Sequence, residues 1–96
     1  MITGKTPTGF EFEIDERILN DFRYVELLAM AESDDASEIL KGVTMLPKFM
    51  LGDKGAKRLK DKIASENDGF VPQELVYAEI TAIIDVIKEN NKNIKN

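Results

Sequence analysis

The chain has 96 residues, 43% of them apolar and 32% charged, with a formal net charge of −5 and neither cysteine nor histidine. A chain of this size makes one domain that hides roughly 60 to 70% of its unfolded surface. The composition excludes disulfides, thiolate or imidazole metal ligation and a histidine general base, and the net charge argues against a nucleic-acid surface spread over the whole protein.

Phe10-Glu11-Phe12-Glu13-Ile14-Asp15 alternates apolar and acidic residues, which places Phe10, Phe12 and Ile14 on one face of a strand. Ile2 to Lys5 supplies the pairing strand across Thr6-Pro7-Thr8-Gly9, whose proline and glycine suit a tight turn. The resulting hairpin needs cover, since two strands by themselves are marginal in water. Asp15 caps a helix predicted over 16–32, with Ile18, Phe22, Val25 and Ala29 as its core stripe. Leu19, Tyr24, Leu27, Leu28 and Met30 fall away from that stripe, so this helix is either sandwiched or carries a partner surface.

Asp34, Asp35 or Ser37 caps the next helix, predicted over 36–51, with the stripe Ile39, Val43, Leu46 and Met50. Pro47 removes a backbone donor and crowds the Val43 carbonyl, which predicts a kink just before it. Gly52-Asp53 reads as a stop and a new cap before a short basic helix over 54–65 with Ala56, Leu59 and Ile63 inward. Glu66 to Gly69 is a turn, and Pro72 opens a last helix over 72–90. Its main stripe is Val76, Ile80, Ile83 and Ile87, widened by Tyr77 and Ile84, with a second strip of Leu75, Ala82 and Val86 and Glu79 between the two. Residues 91–96 lack apolar periodicity and read as a flexible tail. The predicted fold is therefore mainly α, a small bundle of about four helices with an N-terminal β-hairpin over 1–15, in one domain spanning 1–90.

Charge is segmented along the chain. Between Glu11 and Glu38 ten acids face Arg17 and Arg23, whereas from Lys41 to Lys62 seven basic residues face Asp53 and Asp61. The two segments can meet within the fold or across a contact, or lie on solvated helix faces. No apolar run approaches the ~20 residues of a membrane helix. Met1-Ile2-Thr3-Gly4-Lys5 lacks the apolar stretch of a signal peptide, so a cytoplasmic location is expected.

Chemistry is reached by elimination. The sequence has no glycine-rich phosphate loop and no metal-spaced or triad-like residues. The carboxylate pairs Glu11 with Glu13 and Asp34 with Asp35 read as solvent-facing and capping groups, which leaves them without the burial that acid–base catalysis needs. No catalytic residue, cofactor site or metal site is expected, and the acidic loop lacks the spacing of an EF-hand. The basic face of Lys54, Lys57, Arg58, Lys60 and Lys62 has no interleaved aromatics and no helix-turn-helix frame, so a solvated or partner-docking face is favoured over nucleic acid.

The opening Met1-Ile2-Thr3-Gly4-Lys5 with Gly9-Phe10-Glu11-Phe12-Glu13-Ile14-Asp15, the Leu51-Gly52-Asp53-Lys54-Gly55 step into a basic helix, and Asp68-Gly69 leading to Val71-Pro72 together resemble the tail assembly chaperones of long-tailed phages and prophages of Gram-positive bacteria. The resemblance spans nearly the whole chain. It implies a non-enzymatic helical protein of the host cytoplasm, absent from the mature virion, that binds the tape measure protein while tail tube subunits polymerise. It also implies a longer frameshifted form whose extension recruits tail tube protein, and the Lys/Asn-rich end is compatible with A-rich slippery codons. The expected partner-binding residues are Tyr24, Leu27, Leu28, Leu75, Ala82 and Val86, with burial in the monomer as the competing reading for each. Self-association into a homo-oligomer is compatible with the same surface. The rival readings are a small regulatory nucleic-acid binder using Lys54 to Lys62 and a structural virion component.

Overall fold

The structure is a computed structural model that describes residues 1–95, with side chains described through residue 89. In chain order it comprises β1 (Ile2–Lys5), β2 (Glu11–Ile14), a 3-10 helix (Glu16–Asn20), α1 (Phe22–Ala31), α2 (Ala36–Glu66) and α3 (Gln73–Lys95). The mainly helical class and the N-terminal hairpin are as expected, but three α-helices replace the expected four.

The hairpin follows its period of two. β1 and β2 are antiparallel with Ile2 opposite Ile14 and Lys5 opposite Glu11, and Phe10, Phe12 and Ile14 are buried while Glu11 and Glu13 are exposed. The Gly9 amide donates to the Thr6 carbonyl at 2.9 Å, closing a turn in which Gly9 adopts a φ of 96° that a side chain would resist. Cover comes from both sides of the sequence: β2 packs on α2 and β1 on α3.

The first helix departs from expectation. Asp15 caps only the 3-10 helix, and Asp21, extended at φ −87° and ψ 131°, restarts the chain as the N-cap of α1. That restart breaks the phase between Ile18 and Phe22, so the continuous stripe Ile18–Phe22–Val25–Ala29 does not form. Phe22 and Val25 are exposed, and Tyr24, Leu27 and Ala31 face the core instead.

The helices expected over 36–51 and 54–65 are two limbs of α2, separated at Gly52 by one residue with non-helical angles (φ 75°, ψ 172°). With no intervening loop, helical structure resumes at once. Pro47 retains helical angles, so the distortion expected before it lies five residues later, where glycine tolerates a conformation that other residues resist. Asp35 caps the first limb through its carboxylate and the Ser37 amide at 2.9 Å. The second limb ends at Asn67, followed by Asp68 and Gly69 at φ 55° and 90°, with the Gly69 amide returning to the Ala64 carbonyl at 2.7 Å.

In α3, Ile80, Ile83 and Ile87 are buried and Val76 is half-buried, in line with the expected stripe. Its backbone is helical through Lys95, where a tail was expected from residue 91; Asn96 lies outside the described residues. The core unites the hairpin's Phe12 and Ile14 with Leu46, Met50 and Leu59 of α2 and Ile83 of α3. α1 joins it across a close helix crossing: Gly42 of α2 is buried against α1, and a Cβ there would lie 2.5 Å from the Ala31 nitrogen and 2.9 Å from the Leu27 oxygen.

Candidate functional site

The bend at Gly52 gives α2 two directions, and both limbs line one open groove of about 770 Å³ together with the start of α3. The first limb contributes Leu40, Val43 and Pro47, the second Ala56 and Leu59, and the far wall Val71, Val76 and Tyr77. Lys48 and Lys60 stand on the α2 walls and Glu74 on the α3 wall. Of the apolar residues, Pro47, Ala56 and Leu59 are buried, Val43 and Val76 half-buried, and Leu40, Val71 and Tyr77 exposed.

Some of the exposed large apolar groups line this groove, and others lie elsewhere on the surface. Leu40 is 59% exposed, Tyr77 42% and Val71 39%, with Met45, Phe70 and Leu75 also open to solvent nearby in sequence. On α1, Phe22 is 73% exposed. Scattered apolar side chains on a surface are ordinary, whereas several lining one concavity form a surface suited to a partner.

The residues expected at a partner surface divide sharply. Tyr24 and Leu27 are core residues, and burial pushes the Tyr24 phenol's pKa up. Leu28 is half-buried against the same cluster. For Tyr24 and Leu27 the competing reading of burial in the monomer holds, because the restart at Asp21 turns this side of α1 inward. Val86 and Ala82 are half-buried, and Val86 lies close to β1, its Cγ1 only 3.0 Å from where a Gly4 Cβ would sit. Val86 of this second strip thus packs on the hairpin, while Leu75 is exposed.

The basic face is real but partly occupied by its own chain. Lys54, Lys57, Arg58 and Lys60 are exposed and Lys62 half-buried. Lys57 pairs with Asp61 and Lys62 with Glu66, each at 2.9 Å, while Arg58 lies over the Phe10 ring at 5.3 Å and donates to the Glu11 carbonyl at 3.2 Å. Arg58 therefore ties the second limb to the hairpin. Only Lys60 of this set also lines the groove.

Neither the groove nor the buried carboxylate was identified as a site from the sequence. Glu79 is buried beneath the hairpin turn, accepting from Thr6 Oγ1 at 2.9 Å and Thr8 Oγ1 at 2.7 Å. Thr6 Oγ1 accepts in turn from the Phe10 amide at 3.2 Å. This network fastens α3 to the turn across 73 residues of chain, and its donors are hydroxyls of the protein itself, which suits anchoring. The position of Glu79 between two apolar strips was the one sequence signal of its burial.

No family model matches the chain, and no curated protein and no solved structure matches it either. Among the described residues no group of acidic side chains is gathered to hold a metal ion, and no helix is long and apolar enough to cross a membrane. The groove itself offers apolar contact framed by Lys48, Lys60 and Glu74.

Proposed function

We propose that this chain is a non-enzymatic tail assembly chaperone whose groove holds an amphipathic helical segment of the tape measure protein. The observation that carries the reading is the open apolar groove between α2 and α3, where Leu40, Val71 and Tyr77 remain exposed in a folded monomer. Helix-in-groove binding uses apolar anchors at helical spacing, and a long coiled coil awaiting its tail tube offers such anchors along its length. Support also comes from the sequence resemblance, which covers the hairpin, the Gly52 step and the entry to α3. A longer form that recruits tail tube protein belongs to the same proposal.

The test is co-production with the tape measure protein, whose gene is expected immediately downstream. The chaperone reading expects the two to co-purify and the tape measure protein to stay soluble only when this chain is present. Equal aggregation with and without the chain would remove the proposal. The nucleic-acid alternative is weakened by the internal pairing of Lys57 and Lys62.

A further inference from the structure

The groove is not electrically neutral, and the arrangement of its charges distinguishes one occupant from another. Lys48 reaches it from the first limb of α2 and Lys60 from the second, both exposed. Among the described residues neither ammonium takes part in an ion pair or a side-chain hydrogen bond, unlike Lys57 and Lys62 farther along the same helix. Lys41 stands beside Leu40 and Met45 in a shallower depression that shares Ala36, Leu40 and Thr44 with the groove. The opposite wall carries Glu74.

We propose that the groove selects amphipathic helices by charge polarity, taking a partner polypeptide whose apolar stripe is flanked by acidic side chains on the edge that faces α2. The inference rests on the chaperone reading for a helix as occupant and adds the chemistry by which that helix is chosen and oriented. A flanking carboxylate on the α2 side meets Lys48 and Lys60, whereas a basic flank there meets like charge. Turning the helix end for end moves the acidic edge to Glu74, so the same charges fix direction as well as identity. The net charge of −5 opposes an acidic partner at long range, yet at physiological salt fields fade within about 8 Å, and the lysines at the contact decide.

The experiment uses the full chain and two synthetic helical peptides sharing one leucine stripe, one with glutamates and the other with lysines along a single flank. Fluorescence anisotropy at physiological salt should show the glutamate peptide binding about tenfold more tightly, the scale of a few exposed ion pairs turned from repulsion to attraction. The Lys48→Glu/Lys60→Glu double variant should reverse the preference while keeping the helical circular dichroism of the parent. Should that variant fail to fold, Lys48→Gln and Lys60→Gln should each cut the preference by about threefold. Equal affinities, a preference for the lysine peptide, or a preference unchanged in the variants would overturn the proposal. So would sedimentation showing that a second copy of the chain occupies the groove and is displaced by either peptide alike. Failure here and failure of the chaperone reading separate cleanly. If the parent and the double variant capture the tape measure protein equally, charge selection fails and the chaperone stands; peptide preference with no tape-measure capture gives the reverse.

Discussion

Gly42 shows how one missing side chain can set the distance between two helices. A methyl group at this position would press on backbone atoms of Ala31 and Leu27, which cannot swing aside as the end of a flexible side chain could. Gly42→Ala is therefore expected to lower the unfolding free energy by about 1–3 kcal/mol by overpacking, despite the better helix propensity of alanine. A urea titration of both proteins measures this, and an unchanged or raised midpoint would contradict the packing described. The sequence analysis did not single out Gly42, because the neighbour that makes it necessary lies on another helix. Glu79 is a similar case: its place between two apolar strips was visible, but the hydroxyls of Thr6 and Thr8 that stabilise it come from the far end of the chain.

The elements differ in how far local chemistry decides them. The two strands and their turn were legible, since alternation, a Pro-containing turn and Gly9 agree, while the register that sets Ile2 opposite Ile14 came from the structure. The break before α1 was not, because Asp15 and Asp21 are equally good caps and both take an arginine two residues on as a partner. The Arg23 guanidinium and amide hold the Asp21 carboxyl at about 2, below its ordinary 3.8, and Arg17 does the same for Asp15. A carboxyl with a depressed folded pKa adds stability that is fully present above about 3.8 and is lost as pH falls through about 2. Asp21→Asn should thus show a shallower loss of stability than the parent across that interval, read as urea midpoints at successive pH values. A parallel acid limb in both proteins would show that this cap contributes nothing to the titration. In α2, Pro47 was the more conspicuous disruptor in sequence, yet Gly52 takes the bend. Proline fixes an angle that a helix already uses, whereas glycine alone opens the left-handed region without strain.

At the scale of the whole molecule, the division between core and open surface is what leaves the groove open for the proposed partner. Leu40→Lys and Tyr77→Lys should each lower unfolding free energy by no more than about 1 kcal/mol, because Leu40 is 59% and Tyr77 42% exposed. Leu59→Ala, which empties a fully buried position, should cost about 2–5 kcal/mol. Chemical denaturation distinguishes the two classes, and a large loss from either lysine substitution would mean that Leu40 or Tyr77 belongs to the core. The same lysine substitutions should weaken tape-measure capture, which Leu27 and Tyr24 can affect only through the fold.

By itself the sequence determined the helical class, the N-terminal hairpin and the inward stripes of α2 and α3, because each is written in the local pattern of its own segment and needs no distant partner to be read. The tertiary structure alone decided which side of α1 faces inward, where α2 bends, and which member of the second strip of α3 packs on the hairpin. Those choices depend on pairs such as Gly42 with Ala31 and Val86 with Gly4, whose members are brought together only when the elements pack. Surplus apolar surface can be counted along a chain, but its location is a property of what the rest of the fold leaves uncovered.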